Sequence, residues 1–141
     1  MRDGDPDADR QPASDVGSDA TADDERDTAV RRDRFSGGPA RGFLSSLAAD
    51  EALFAADLAV DRAHVVGLEE QGILDDAVAG SILRALADVE AAGHGALPAG
   101  EDVHEAIETA VIDRVGPDGG RMPTARSRND EVATCIRYRL R

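Results

Sequence analysis

The chain of 141 residues contains no lysine and no tryptophan, one tyrosine, three phenylalanines and one cysteine. Each shortage excludes something. A single cysteine, Cys135, cannot close an intramolecular disulfide and fits a reducing compartment. With so few aromatics the core must be assembled from Ala, Leu, Val and Ile, a composition that favours packed helices over sheet. No apolar run approaches membrane-spanning length, and no basic start followed by an apolar core marks a secretory signal, so no membrane partner is expected. No internal repeat, Gly-rich phosphate loop or Ser/His/Asp nucleophile arrangement stands out. Because lysine is absent, all 16 basic residues are Arg, set against 29 acidic residues for a net charge of -13. A GC-rich genome replaces Lys by Arg, and high internal salt favours carboxylate-rich surfaces. Both causes apply, with salt adaptation the stronger. No basic face balances the acids, so nucleic acid is not an expected partner.

Residues 1–33 hold 11 acidic residues and 5 Arg, and Val16 and Val30 are their only branched apolar side chains. Such a segment cannot bury enough surface to offset its ordering entropy, so 1–33 is expected to be a disordered acidic leader. Order is expected from Arg34-Phe35 onward, giving one domain over 34–141. A Gly/Pro loop at 36–42 leads through FLSSLAAD to a first helix, with Asp50 as the expected N-cap and Leu53, Phe54, Leu58, Val65 and Leu68 near helical spacing up to Gly72. Asp75-Asp76 opens a second helix with Val78, Ile82, Leu86 and Val89 on one stripe, ended by GHGALP at 93–98. The short connection predicts an antiparallel hairpin. A third helix is expected from about Glu101 to Val115, where Val103, Ile107, Val111 and Val115 recur every fourth residue before Gly116-Pro117. After the loop GPDGGRMPTA (116–125), Ser127 and Asp130 have capping-box spacing and open a fourth helix with Val132, Ile136 and Leu140 in phase. That helix meets Arg141 without Gly, Pro or cap, which suggests a stripe cut off within a longer helix. The fold class expected is all-α.

Two clusters carry chemistry. RSRND at 126–130 sits at a helix start, where outward N–H groups and the dipole favour anions. An Arg there can grip a carboxylate with two parallel hydrogen bonds, and Asn129 can donate and accept together. The same residues also read as a capped helix start with solvated arginines. EDVHEAIE (101–108) crowds Asp102, His104, Glu105 and Glu108 at the start of the third helix, with His104 and Glu108 one turn apart. Glu101-x-x-His104 and Asp61-x-x-His64 have the spacing used in di-iron carboxylate bundles, although a polar helix face is the commoner outcome of such a pattern. His64 reads as a boundary residue, His94 between two glycines as loop surface, and Ser45-Ser46 as helix capping.

The order RF-SGGP, FLSSLAAD, LAVDRAH, EQGIL, EDVHEAIE and GGRMPTARSRNDEVAT resembles the N-terminal domain of the argininosuccinate lyase family, within the fumarase/aspartase superfamily, over about residues 34–141. The resemblance implies the N-terminal helical domain of that fold, broken off at the start of the long bundle helices. It implies a cytoplasmic homotetramer that cleaves argininosuccinate into arginine and fumarate by β-elimination, without a metal or organic cofactor. By the family pattern Ser46, Arg128, Asn129 and Asp130 bind substrate, and Asp102, His104, Ser127 and Thr124 support the site. No catalytic residue is expected in this chain, because the family's catalytic His and Ser segments correspond to positions beyond 141. Departures stand beside the matches. Trp-Gly-Gly-Arg-Phe is here RRDRF (31–35), the amide of Phe-Asn-x-Ser is replaced by Leu44, and Ala125 and Glu131 replace Gly and Gln of Thr-Gly-Arg-Ser-Arg-Asn-Asp-Gln. Ala125 is expected to crowd its loop. Rival readings are a small acidic helical interaction protein and a di-iron bundle using Glu101, His104, Asp61 and His64.

Overall fold

The computed structural model describes residues 43–141. The expected leader (1–33), the RRDRF departure and most of the Gly/Pro loop lie outside the described residues. Four helices carry the architecture: α1 (Phe54–Glu70), α2 (Asp76–Ala92), α3 (Val103–Val115) and α4 (Arg128–Arg139), and no strand occurs among the described residues. None of the described helices is long and apolar enough to cross a membrane.

The start of α1 corrects one expectation. Asp50 does not cap it; the chain enters through a 3₁₀ turn at Ala49–Leu53 that runs straight into the helix. Such a turn occupies amides that a side chain would otherwise have to satisfy, so no cap is needed. The Asp50 carboxylate is spent elsewhere, on Ser46 Oγ at 2.6 Å and on the backbone N–H of Val103 at 3.3 Å.

At the end of α1, the Ile73 and Leu74 amides fold back onto the Leu68 carbonyl. Farther from the turn Arg62 reaches the Leu86 carbonyl and pairs with Glu90 at 2.6 Å. Contacts that spread apart in sequence on both sides of a short turn are those of the expected antiparallel hairpin. Helix α2 packs on α1 and α3, and α4 lies against α1. Their shared core is aliphatic: Leu58, Val65, Ile82, Leu86, Val89, Val103, Ile107 and Val111 are buried, with Met122 closing one end. Each such side chain stabilises by about 1.5–3 kcal/mol through removal from water.

Helix α3 ends at Gly116, whose φ of 83° is open to glycine without Cβ strain. The following 3₁₀ turn, Pro117–Arg121, presses Gly119 so close to α3 that a Cβ there would lie 2.9 Å from Ile112 Cα. This contact seats Met122 in the core and sets the path of the chain towards α4.

The stripe on α4 differs from expectation. Glu131 and Cys135 are its buried residues, while Ile136 and Leu140 are exposed. The helix is rotated by about one residue from the apolar phase, because Glu131 and Cys135 meet charged partners on α1 and α3 that an apolar face could not satisfy. His94 is also not plain loop surface. It is half-buried, donates from Nε2 to the Leu47 carbonyl at 2.9 Å and meets the Phe54 ring edge-on at 5.9 Å.

Candidate functional site

Three segments converge at one end of the described bundle. Ser46 donates its backbone N–H to the Glu101 carbonyl at 2.7 Å, and Ser45 Oγ donates to the Gly100 carbonyl at 2.8 Å. The 45–50 segment is thus laced to the start of α3, where Asp102 caps the helix by accepting from the Glu105 N–H at 2.7 Å. Arg128, the first residue of α4, completes the group. Its Nη1 donates to Asp102 Oδ1 and its Nη2 to Glu108 Oε2, each at 3.2 Å. Helix starts α3 and α4 are therefore tied by one guanidinium.

The start of α4 is built as the capping-box spacing predicts. Ser127 accepts from the helix amides, and its own N–H donates to Asp130 Oδ2 at 3.1 Å. Asp130 is turned back onto its own helix. Asn129 is exposed at the same end, so its amide is presented to solvent beside Arg128. Thr124 sits on the approach loop, its Oγ1 donating to the Arg121 carbonyl at 2.6 Å and its carbonyl accepting from His64 Nε2 at 2.9 Å. Of the residues expected to bind or support substrate, Ser46, Asp102, Arg128 and Asn129 share one end, and Ser127, Asp130 and Thr124 shape the loop and helix start that carry them.

Behind this end lies a buried polar cluster that apolar periodicity did not reveal. His104 Nδ1 is 2.8 Å from Asp57 Oδ2, at ion-pair distance without hydrogen-bond alignment, and 3.8 Å from Glu131 Oε1. Arg126 Nη2 donates to Asp61 Oδ1 and, at 2.7 Å, to Glu131 Oε1. Cys135 Sγ donates to Asp57 Oδ1 at 3.2 Å. Asp57 and Asp61 are wholly buried on α1, spaced one turn apart, as are Glu131 and Cys135 on α4. That i, i+4 spacing of polar residues in phase with Val65 was the available signal.

Burial and crowding set the protonation of these groups. Desolvation, then the neighbouring Asp57, push Asp61 up to about 6 despite Arg126. Desolvation, then Asp61 and Asp57, push Glu131 up to about 8, against the pull of Arg126 and Arg128. Burial draws His104 down, but Asp57, Glu131 and Asp102 together outweigh it and hold the imidazolium above its ordinary value. Burial and the Asp57 charge push the Cys135 thiol far up, so it stays protonated and serves as a donor.

One carboxylate oxygen from each of Asp57, Asp61 and Glu131 lies within 4.8 Å of the others, as does one ligand atom from each of Asp57, His104 and Cys135. That is ligand-like spacing, yet the positive charge among them already comes from Arg126 and His104. The di-iron set is not assembled either. Glu101 is exposed, its N–H held by Glu105, and His64 is turned to Thr124, while His104 points to Asp57.

No family model matches the chain. Among curated proteins it is 75% identical over 122 residues to the argininosuccinate lyase of Haloarcula marismortui, covering 86% of this chain and 24% of that protein. It is 76% identical over 120 residues to that of Natronomonas pharaonis, covering 85% of this chain and 24% of that protein. With that of Methanosarcina acetivorans the identity is 46% over 117 residues, 79% of this chain and 24% of the relative. The chain spans about a quarter of the length of the curated relatives it matches.

Proposed function

Over the residues shared with these enzymes the chain belongs to the argininosuccinate lyase family, and we propose that its described helices supply one wall of that family's substrate site. The reaction is β-elimination of argininosuccinate to arginine and fumarate, within a cytoplasmic homotetramer. Loss of the proton beside a carboxylate builds negative charge, and donors fixed in advance at that position stabilise it. The observation that carries this reading is the meeting of Ser46, Asp102, Arg128 and Asn129 where two helix starts lie together.

In this reading Arg128, oriented by Asp102 and Glu108, faces a substrate carboxylate with its position set beforehand. Asn129 adds an uncharged donor that can follow the charge as it moves, and Ser46, whose hydroxyl donates to Asp50, offers its oxygen as an acceptor. Asp130, Ser127 and Thr124 keep the α4 start in place, and His104 holds α3 against α1 through Asp57. The proton-transferring groups come from family segments outside this chain, so it contributes binding and orientation.

The test is made in the complete enzyme. Asn129→Ala removes hydrogen bonds to a charged substrate, each worth about 1.5–3 kcal/mol, so kcat/KM falls at least about tenfold while Tm stays near wild type. Arg128→Lys also lowers kcat/KM, because an ammonium cannot reproduce a two-pronged fork. Ser127→Ala is the control and loses about 1 kcal/mol of stability with activity largely kept. Full activity in Asn129→Ala together with a Ser127-like stability loss would reduce RSRND to a helix cap.

A further inference from the structure

The guanidinium of Arg128 is contested. Asp102 and Glu108 hold its Nη atoms at 3.2 Å on the α3 side, and Glu131 Oε2 stands 3.6 Å from its Nε on the inner side. Glu131 is itself buried, and its other oxygen is taken by Arg126. We propose that Glu131 is a positioning residue for Arg128: while neutral it leaves the guanidinium with Asp102 and Glu108 at the site, and once ionised it draws the guanidinium inward.

The surroundings make the neutral form the resting one. From α1, Asp61 and Asp57 oppose a third negative charge in the cluster. From α3, His104 favours it from 3.8 Å, from the approach loop Arg126 favours it at 2.7 Å, and on α4 Arg128 favours it from 3.6 Å. Also on α4, Cys135 is a neutral donor already given to Asp57. Arg126 is shared with Asp61, His104 with Asp57 and Arg128 with Asp102 and Glu108, so none of the three cations is wholly available to Glu131. Glu131 therefore holds its proton up to about 8. A neutral carboxylic acid has the shape of a carboxamide and, like it, both donates and accepts, which makes Glu131→Gln the variant that stays in the neutral form. Above that range Nε of Arg128 faces a full negative charge on Glu131.

The sign of the stability effect follows from the raised value. The folded protein keeps a proton that the unfolded chain has already released. The stabilisation is complete below the ordinary 4.5, declines as pH rises, and is gone above about 8. Glu131→Gln lacks that decline.

The experiment follows the Glu131 side-chain carboxyl by ¹³C and the Arg128 Nε–H by ¹⁵N resonance from pH 4 to 10. It uses this chain and Glu131→Gln in molar KCl, with Tm recorded alongside. Expected are a Glu131 midpoint near 8, an Arg128 resonance moving with the same midpoint in wild type and flat in Glu131→Gln, and a Tm advantage of the variant that widens between pH 5 and 8. A Glu131 midpoint below 6, an Arg128 resonance that titrates equally in both proteins, or loss of helical signal in the variant at pH 7 overturns the proposal. The inference rests on the proposed role of Arg128 only for its consequence. The readout is on Arg128 itself, so a failed Asn129→Ala test leaves it standing.

Discussion

His104 on α3 and Asp57 on α1 face each other at 2.8 Å, both buried, and they join the two helices. Truncating one member of a buried pair leaves the other charge without compensation, at a cost of about 3–5 kcal/mol. His104→Ala should lower unfolding free energy by that amount in guanidinium titrations. Replacing both residues by aliphatic side chains should recover much of the loss. A single variant as stable as wild type would mean that Asp57 finds enough support in Cys135 and Arg126.

The buried cluster also fixes a direction for pH. Asp61, Glu131 and His104 are all raised above their ordinary values. Each raised group stabilises the fold fully below its unfolded value and loses that contribution as pH rises through the folded one. The windows run from the ordinary 3.8 to about 6 for Asp61, from the ordinary 4.5 to about 8 for Glu131, and upward from 6.5 for His104. Tm measured in molar KCl, which screens the surface carboxylates, should therefore be higher at pH 5.5 than at pH 8.5. The reverse order would show that the cluster is fully ionised at neutrality.

Ala125 sits at φ 62°, the left-handed region where a Cβ costs about 1–2 kcal/mol. The expected crowding in this loop is thus a backbone strain at that residue. Ala125→Gly should raise stability by about 0.5–1 kcal/mol once the greater freedom of unfolded glycine is subtracted. Gly119→Ala should do the opposite, because its Cβ would meet Ile112 backbone atoms at 2.9 and 3.1 Å and those cannot swing aside. Overpacking of that kind costs about 1–3 kcal/mol. Thermal unfolding of the two variants checks both signs.

Much of the helical frame was legible because its punctuation is local. Asp75, Gly93, Gly116 and Ser127 flank helices where the residue types say they should, the Ser127–Asp130 box follows from spacing alone, and α3 starts at Val103 behind an Asp102 cap, two residues after the expected Glu101. The end at which Ser46, Asp102, Arg128 and Asn129 meet was legible only through family resemblance, since their approach depends on how distant segments pack. The interior cluster was missed for a definite reason. Periodicity counts apolar side chains, so it passes over Asp57, leaves Asp61 in an Asp-x-x-His pattern and Glu131 as a departure from the family's Gln, and puts Val132, Ile136 and Leu140 on the inner stripe of α4. Only the pairing of Asp57 with His104 and Arg126 with Asp61 makes burial of those carboxylates affordable. Asp50 was placed on the correct segment but assigned to the wrong helix start, because its partner Val103 lies 53 residues away.

Two ion pairs in this fold separate surface electrostatics from interior electrostatics. Arg62–Glu90 closes at 2.6 Å with both side chains substantially exposed, whereas Arg126–Asp61 is shut away with side chains 9% and 1% exposed. At molar salt the screening length is about 3 Å, so water and ions reach the first pair and not the second. Double-mutant cycles should find that the Arg62–Glu90 coupling fades between dilute buffer and molar KCl, while the Arg126–Asp61 coupling keeps most of its size. Over the same range the wild-type Tm should rise, because a chain with net charge -13 repels itself most where screening is weakest. A Tm that falls with salt, together with an Arg126–Asp61 coupling that vanishes in it, would mean that the cluster is open to solvent and the acidic surface is no adaptation to salt. A Tm that rises while the interior coupling holds assigns the salt response to the exposed carboxylates and leaves the cluster as a fixed part of the site's foundation.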